Sequence, residues 1–258
     1  KKYEKYCSNC HILNSNIKKD LSFKNFIEKK KLFLENKRKF EVVVISQNMK
    51  KRVEKSFLFK NKKINVIGNT FTPLNSKRII KYNESDKINL LYVGQITPAY
   101  KNFMILKKIL SFLSPKKFKI LIAGDKKETI LAKTKDFNIE VINLGYISDK
   151  VDLNNLYFNS DMLLVTSKEE AFGLVGLESL YNSTPVVAFK NTGLEDLIDH
   201  KINGFLAKEN SPKNYADGIQ WISNNKHKLN KKDCIEKSNL FENSKIVKKY
   251  KKIYKELI

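Results

Sequence analysis

Two carboxylates, Glu170 and Glu178, stand eight positions apart in Glu170-Ala-Phe-Gly-Leu-Val-Gly-Leu-Glu178. Eight residues is slightly more than two helical turns of about 3.6 residues each. If Gly173 opens a helix, Glu178 lies inside it and Glu170 just before it. The N–H groups of Phe172, Gly173, Leu174 and Val175 then face any anion placed there, with the helix dipole behind them. A carboxylate on each side of an anion cradle suits a sugar nucleotide, which has hydroxyls at both ends and a diphosphate between. Two Glu in a Lys-rich chain are also ordinary solvated residues, and Phe-Gly-Leu is an ordinary packing turn. Context favours the chemical reading: Thr184-Pro185-Val186-Val187 and Thr192-Gly193-Leu194-Glu195-Asp196 follow at once.

Such a site needs a rigid frame. Residues 88–93, 118–123, 139–144, 162–166 and 185–189 are apolar, strand-like runs. Helical stretches at 102–113, 127–135, 151–159 and 174–181 separate them. Nearly all-apolar strands between amphipathic helices predict a parallel sheet covered on both faces, an open, doubly wound α/β domain. Ligands bind such sheets outside the carboxyl ends of the strands. Gly94, Gly124 and Gly145 fall at those ends.

The flanks differ. A strand at 40–46, a basic helix at 49–57 and a short strand at 64–67 read as the closing elements of a second α/β domain, partial within this chain. The polar stretch around Pro73 reads as a linker. Helices are expected at 212–224, 232–241 and 244–258, the last strongly basic.

Composition narrows the class. A chain of 258 residues, 41% hydrophobic, can hold one large or two modest domains with real cores. No apolar run approaches the ~20 residues of a spanning helix. No secretory signal is visible, and the chain opens Lys1-Lys2-Tyr3 without Met. Cys7, Cys10 and Cys234 make no disulfide framework, so a reduced cytoplasmic setting is expected. Cys7-x-x-Cys10-His11 offers three zinc-type ligands with no second pair in reach, and no metal is expected. The net charge of +23 rests almost wholly on Lys, with Arg only at 38, 52 and 78. Nucleic-acid readers lean on Arg for bidentate and stacking contacts, so no nucleic-acid partner is expected. Residues 1–80 hold 21 basic against 6 acidic residues. That segment suits contact with an anionic membrane face, at about 1 kcal/mol per nearby Lys or Arg, and equally a solvated Lys-rich surface.

The motifs together resemble those of GT-B retaining glycosyltransferases of the family 4 type, the glycosyl transferases group 1. The Glu170-x7-Glu178 stretch resembles that family's Glu-x7-Glu motif. Val93-Gly94-Gln95 followed by Lys101-Asn102 resembles its Val-Gly-Arg…Lys-Gly element, whose Arg and Lys clamp the donor diphosphate. Here Gln95 replaces the Arg, and an amide cannot neutralise phosphate charge. Ile122-Ala123-Gly124-Asp125 resembles the end of the family's second strand, where a Gly admits close approach of the ligand. Leu144-Gly145-Tyr146-Ile147-Ser148 resembles the segment against the nucleobase; Tyr146 or Ile147 packs on the base or, equally, in the core. Residues 160–167 resemble the strand feeding the Glu motif, and Asn69-Thr70-Phe71 the junction that closes the family's first domain.

The resemblance implies a GT-B fold with a partial acceptor-side domain over 1–72, a linker over 73–86, a donor-binding domain over 87–240 and a crossing helix over 241–258. It implies transfer of a hexose-type sugar, with retention, from a nucleoside-diphosphate sugar to a polysaccharide or lipid-linked acceptor. Glu170 would hold the transferred sugar, Lys101 the diphosphate and Glu178 the ribose. Gly94, Gln95, Gly124, Tyr146, Ile147 and the backbone of Phe172, Gly173, Leu174 and Val175 complete the donor site. The implied enzyme needs no cofactor or metal, and its expected place is the cytoplasm or the inner face of the cytoplasmic membrane. No Asp-x-Asp triplet occurs, which argues against the metal-dependent GT-A type, and no Gly-x-Gly-x-x-Gly fingerprint, which argues against a nicotinamide enzyme. Two alternatives stand beside this reading: a GT-B sugar-nucleotide epimerase, and a non-catalytic sugar-nucleotide-binding or membrane-tethering module. The partial first domain further implies that this chain is incomplete and inactive alone, with Val42, Val44 and Ile64 poorly covered.

Overall fold

The computed structural model describes residues 4–5, 7–10, 20–35, 40–72, 74 and 86–257. Pro73 and most of the expected linker, with His11, Arg38 and Arg78, lie outside the described residues. The chain divides into two units, one of residues 1–68 with 248–258, the other of residues 69–247. The first boundary thus falls ahead of the expected linker, and the last helix is split between the units.

In the first unit, α1 (Leu21–Lys30) starts at Asp20, whose carboxylate accepts from Phe23 N–H at 3.0 Å. A short π-helical turn, Lys31–Glu35, follows. Strands β1 (Val42–Val44) and β2 (Ile64–Val66) pair in parallel, with Val42 opposite Ile64. Between them α2 (Gln47–Val53) is capped by Ser46 Oγ, which accepts from Met49 N–H at 3.1 Å. A Ser at this position satisfies one of the helix's orphan N–H donors. Val44 is buried, while Val42 and Ile64 are half-buried, so the expectation of poor cover fails at Val44. Lys63 Nζ bridges Glu41 and Glu256, each at 2.8 Å.

The second unit is an α/β layer structure. Its strands are β3 (Ile88–Val93), β4 (Phe118–Ala123), β5 (Glu140–Gly145), β6 (Met162–Val165), β7 (Val186–Phe189) and β8 (Gly204–Ala207). All pair in parallel, in the order β5-β4-β3-β6-β7-β8. Alternate residues of each strand face opposite sides. Leu90, Ile120, Met162 and Val187 meet the helices α3 (Ile105–Leu110), α4 (Lys127–Thr134) and α7 (Pro212–Asn224) in one cluster. Leu91, Leu121, Leu163 and Val186 are equally buried on the other side. Helix α6 (Leu174–Tyr181) packs on β6 and β7, with α5 (Lys150–Phe158) and α8 (Lys231–Asn239) each packed against α6. Burial on both faces explains the unbroken apolar runs.

Helix α7 begins as its sequence dictates, with Ser211 as N-cap and Pro212 at the first position. Buried Tyr215 then donates to Val187 O at 2.6 Å, pinning the helix to β7. Helix α9 (Asn243–Leu257) is the one split between the units. No helix of the described residues is long and apolar enough to cross a membrane.

The strand order grows in one direction from β3 and in the other from β6. The reversal lies between these two neighbours, which is where a doubly wound sheet opens a crevice at its carboxyl edge.

Candidate active site

The loops leaving β3 and β6 meet at that reversal. After β3 the chain turns through a 3-10 segment, Ala99–Lys101, and then through Asn102 in the left-handed region at φ 53°. The expected helix at 102–113 therefore starts only at Ile105. Two hydrogen bonds staple this loop to the one after β6: Thr166 Oγ1 donates to Lys101 O at 3.0 Å, and Lys168 N–H to Tyr100 O at 2.8 Å. The staples bring Lys101 Nζ to 3.0 Å from Glu170 Oε2, with the two side chains 23% and 17% exposed. Ser167 Oγ lies 3.3 Å from the same carboxylate oxygen. Glu170 is fixed from behind as well, because its carbonyl accepts from Gly193 N–H at 2.7 Å. The Thr192-Gly193-Leu194 stretch thus braces the Glu170 loop.

Along the same edge, Gly94, Gly124 and Gly145 end β3, β4 and β5 with positive φ. A Cβ on Gly124 would lie 2.7 Å from Gly94 N. The space reserved by this glycine is filled by the neighbouring turn, so Gly124 allows the close approach of Gly94. Asp125 finishes the joint, accepting from Ile96 N–H at 3.2 Å. Gln95 is exposed on this rim. Beneath it the buried Tyr92 hydroxyl donates to Gln95 O at 3.2 Å. Burial, and then the charges of Glu170 and Asp125, push the Tyr92 phenol above its ordinary range. Tyr146 is 74% exposed, which removes the core alternative for its ring, and Ile147 is half-buried.

Helix α6 opens as expected at Gly173, at φ 96°, with no side-chain cap. Gly176 and Leu177 N–H both return to Gly173 O, at 2.9 and 3.1 Å. The N–H groups of Leu174 and Val175 precede the first possible intrahelical acceptor and point out of the helix start. The Phe172 ring is not available to a ligand: it is buried, edge-on to Phe241 at 5.2 Å.

Glu178 sits one turn further in. Tyr157 of α5 donates to its Oε2 at 2.9 Å. Burial holds the Glu178 carboxyl above its usual range, opposed by the Tyr157 hydrogen bond and the Lys150 charge. Glu178 faces a cavity of about 380 Å³ shared with Lys150, Leu153, Leu174 and Tyr181. Tyr157, Lys150 and Ser167 were not foreseen from sequence. Among the described residues no group of three or more His, Cys, Asp or Glu could hold a metal, and Cys7 and Cys10 are free thiols.

A lysine, a carboxylate and open N–H groups at one crevice can take an anion flanked by hydroxyls. Comparison with known proteins points the same way. Residues 75–240 match the family model described as glycosyl transferases group 1. An uncharacterized glycosyltransferase of Methanocaldococcus jannaschii is 26% identical over 70% of this chain and 50% of its own length. An uncharacterized 41.2 kDa protein in the cps region of Klebsiella pneumoniae is 30% identical, covering 69% of this chain and 50% of that protein. The chain spans about half the length of these relatives. Among solved structures, sucrose-phosphate synthase of Thermosynechococcus elongatus superposes with a TM-score of 0.75 at 20% identity, over 92% of this chain and 62% of that one. Anabaena HepE, solved with UDP and glucose, superposes with a TM-score of 0.66 at 20% identity, over 84% and 63%. The shared fold is that of GT-B glycosyltransferases.

Proposed function

We propose, for a chain that belongs to the glycosyl transferases group 1 family, that the crevice between β3 and β6 binds a nucleoside-diphosphate sugar. Its role is transfer of a hexose-type sugar, with retention, to a polysaccharide or lipid-linked acceptor. The observation that carries this reading is the Lys101–Glu170 pair at the sheet's reversal, 3.0 Å across, beside the open start of α6.

The chemistry follows from that placement. As the bond from sugar to diphosphate breaks, negative charge gathers on the departing phosphates. Catalysis there is chiefly a matter of stabilising that charge with groups already in place. Lys101 supplies a full charge, and the Leu174 and Val175 N–H groups supply hydrogen bonds with the helix dipole behind them. Glu170 accepts from hydroxyls of the transferred sugar, and Glu178 from those of the ribose. UDP and glucose, held by the Anabaena protein of the same fold, are ligands of the class assigned here. The cps-region relative supports a place in surface polysaccharide synthesis. The basic segment 1–80 supports work in the cytoplasm at the inner face of the membrane.

Titration with UDP, GDP and ADP, and with their glucose conjugates, tests the assignment. Glu178→Ala should weaken free nucleotide and sugar nucleotide alike, by roughly tenfold or more for a hydrogen bond to a charged group. Glu170→Ala should weaken only the sugar-bearing ligand. No response to any nucleotide at millimolar concentration would remove the site. Equal losses from both substitutions would reject the division of labour alone.

A further inference from the structure

The proposed ribose carboxylate does not stand free. Its Oε2 accepts from Tyr157 OH at 2.9 Å, and the Tyr157 side chain is buried. Tyr157 is itself anchored from its backbone. Thr184 Oγ1 donates to Tyr157 O at 2.7 Å, Thr184 N–H donates to Ser179 O at 3.0 Å, and Ser179 Oγ donates to Thr184 O at 2.9 Å. These bonds tie the end of α5 to the end of α6, and they give Thr184, one of the residues marking the sequence motif, a structural task. A carboxylate has two oxygens and about four acceptor positions. With one position held by the phenol, rotation of the group is restrained, and its remaining acceptor positions are left for other donors.

We propose that Tyr157 is a positioning residue that aims the Glu178 carboxylate at a vicinal pair of ribose hydroxyls and so makes the site select ribonucleotides over 2′-deoxyribonucleotides. The inference rests on the reading of Glu178 as the ribose acceptor. A carboxylate held in one plane can accept from both hydroxyls of a ribose at once. One free to rotate satisfies a single hydroxyl equally well, and a 2′-deoxyribose offers a single one.

The test is the ratio of dissociation constants for UDP and 2′-deoxy-UDP, with the GDP and ADP pairs run alongside, on the full chain. The ratio comes from one preparation, so any unfolded fraction lowers both titrations alike and cancels. The expected ratio in the unaltered protein is about tenfold or more in favour of the ribonucleotide. Tyr157→Phe, which keeps the ring and removes only the hydroxyl, should bring it to within about threefold. Glu178→Asp keeps the charge but draws the carboxylate away from the phenol, and should do the same. In a Glu178→Ala background, Tyr157→Phe should leave the ratio unchanged, since coupled residues are non-additive. A full ratio retained in Tyr157→Phe or Glu178→Asp, while Glu178→Ala abolishes it, overturns the positioning role and leaves the site intact. A ratio near one in the unaltered protein, with nucleotide affinity indifferent to Glu178→Ala, overturns the ribose reading itself.

Discussion

Lys101 Nζ reaches Glu170 Oε2 at 3.0 Å from loops that leave adjacent strands, 69 positions apart in sequence. The pair is partly buried, so it is neither a freely solvated contact nor a fully desolvated one. It also gives Lys101 a competing partner: a diphosphate entering the crevice must share the ammonium with Glu170 or draw it away.

The first prediction follows from that competition. Glu170→Gln removes the competing charge while keeping the shape of the side chain. Free nucleoside diphosphate should then bind more tightly, by up to about fivefold, the range expected of a partly exposed ion pair. Binding of the sugar nucleotide should not gain to the same extent, because the sugar loses a charged acceptor. Calorimetry on both ligands measures the two effects, and weaker binding of the free diphosphate would show that Glu170 supports Lys101 rather than competing for it.

Gln95 offers a gain-of-function test. It is exposed on the rim beside Gly94, where the resembled family carries Arg. An added guanidinium can make charge-assisted bonds to phosphate that an amide cannot. Gln95→Arg should tighten nucleoside diphosphate binding by about three- to tenfold, less than a buried charged bond because the position faces water. The gain should shrink as salt rises. An unchanged affinity at low salt would place the phosphates away from this rim.

Glu178 predicts opposite pH responses for binding and for stability. Burial raises its folded-state pKa above the ordinary 4.5. The folded chain therefore holds this proton more tightly than the unfolded chain does. The group's contribution to stability is present below the unfolded value and is lost as pH rises through the folded one. Nucleotide binding runs the other way, since accepting two hydroxyls favours the ionised carboxylate, and affinity should climb through the same window. In Glu178→Gln both slopes should vanish from that window. Denaturant titrations and nucleotide titrations carried upward from the ordinary 4.5 report the two quantities separately.

Gly193→Ala should couple stability to sugar binding. A Cβ there would lie 2.2 Å from Ala171 O, a backbone atom that no rotamer change can move aside. The expected cost is about 1–3 kcal/mol, as for overpacking elsewhere, read as a lower urea midpoint. Because Gly193 N–H holds Glu170 O, the displacement should also weaken the sugar nucleotide more than the free diphosphate. A stable variant with unaltered sugar binding would contradict this bracing role.

Sequence legibility followed how locally each feature is determined. Strands β3 and β4 match their apolar runs residue for residue, because two-sided burial demands six-residue stretches that leave little room for another reading. Strand β8 escaped notice: four residues beginning with Gly204 are too short to show a period. The late start of α3 turns on Asn102 in the left-handed region, which the sequence presents as an ordinary helix-compatible Asn. The start of α6 at Gly173, with Glu170 before it and Glu178 inside it, was legible because one short segment carries all three. Tyr157 was not. Its partner lies 21 positions away, and only the packing of α5 on α6 brings the two together. The packing of Gly124 against Gly94 was equally out of reach, because it depends on the pairing of β3 with β4.

The division of the first unit has a consequence in time. Its residues come from 1–68 and from 248–258, and Lys63 meets Glu256 across 193 positions of chain. During synthesis at about 5–20 residues per second, that separation is on the order of ten to forty seconds. The six-stranded sheet emerges whole within the interval and can close on its own contacts. The contact of Lys63, just ahead of β2, with α9 can form only after that.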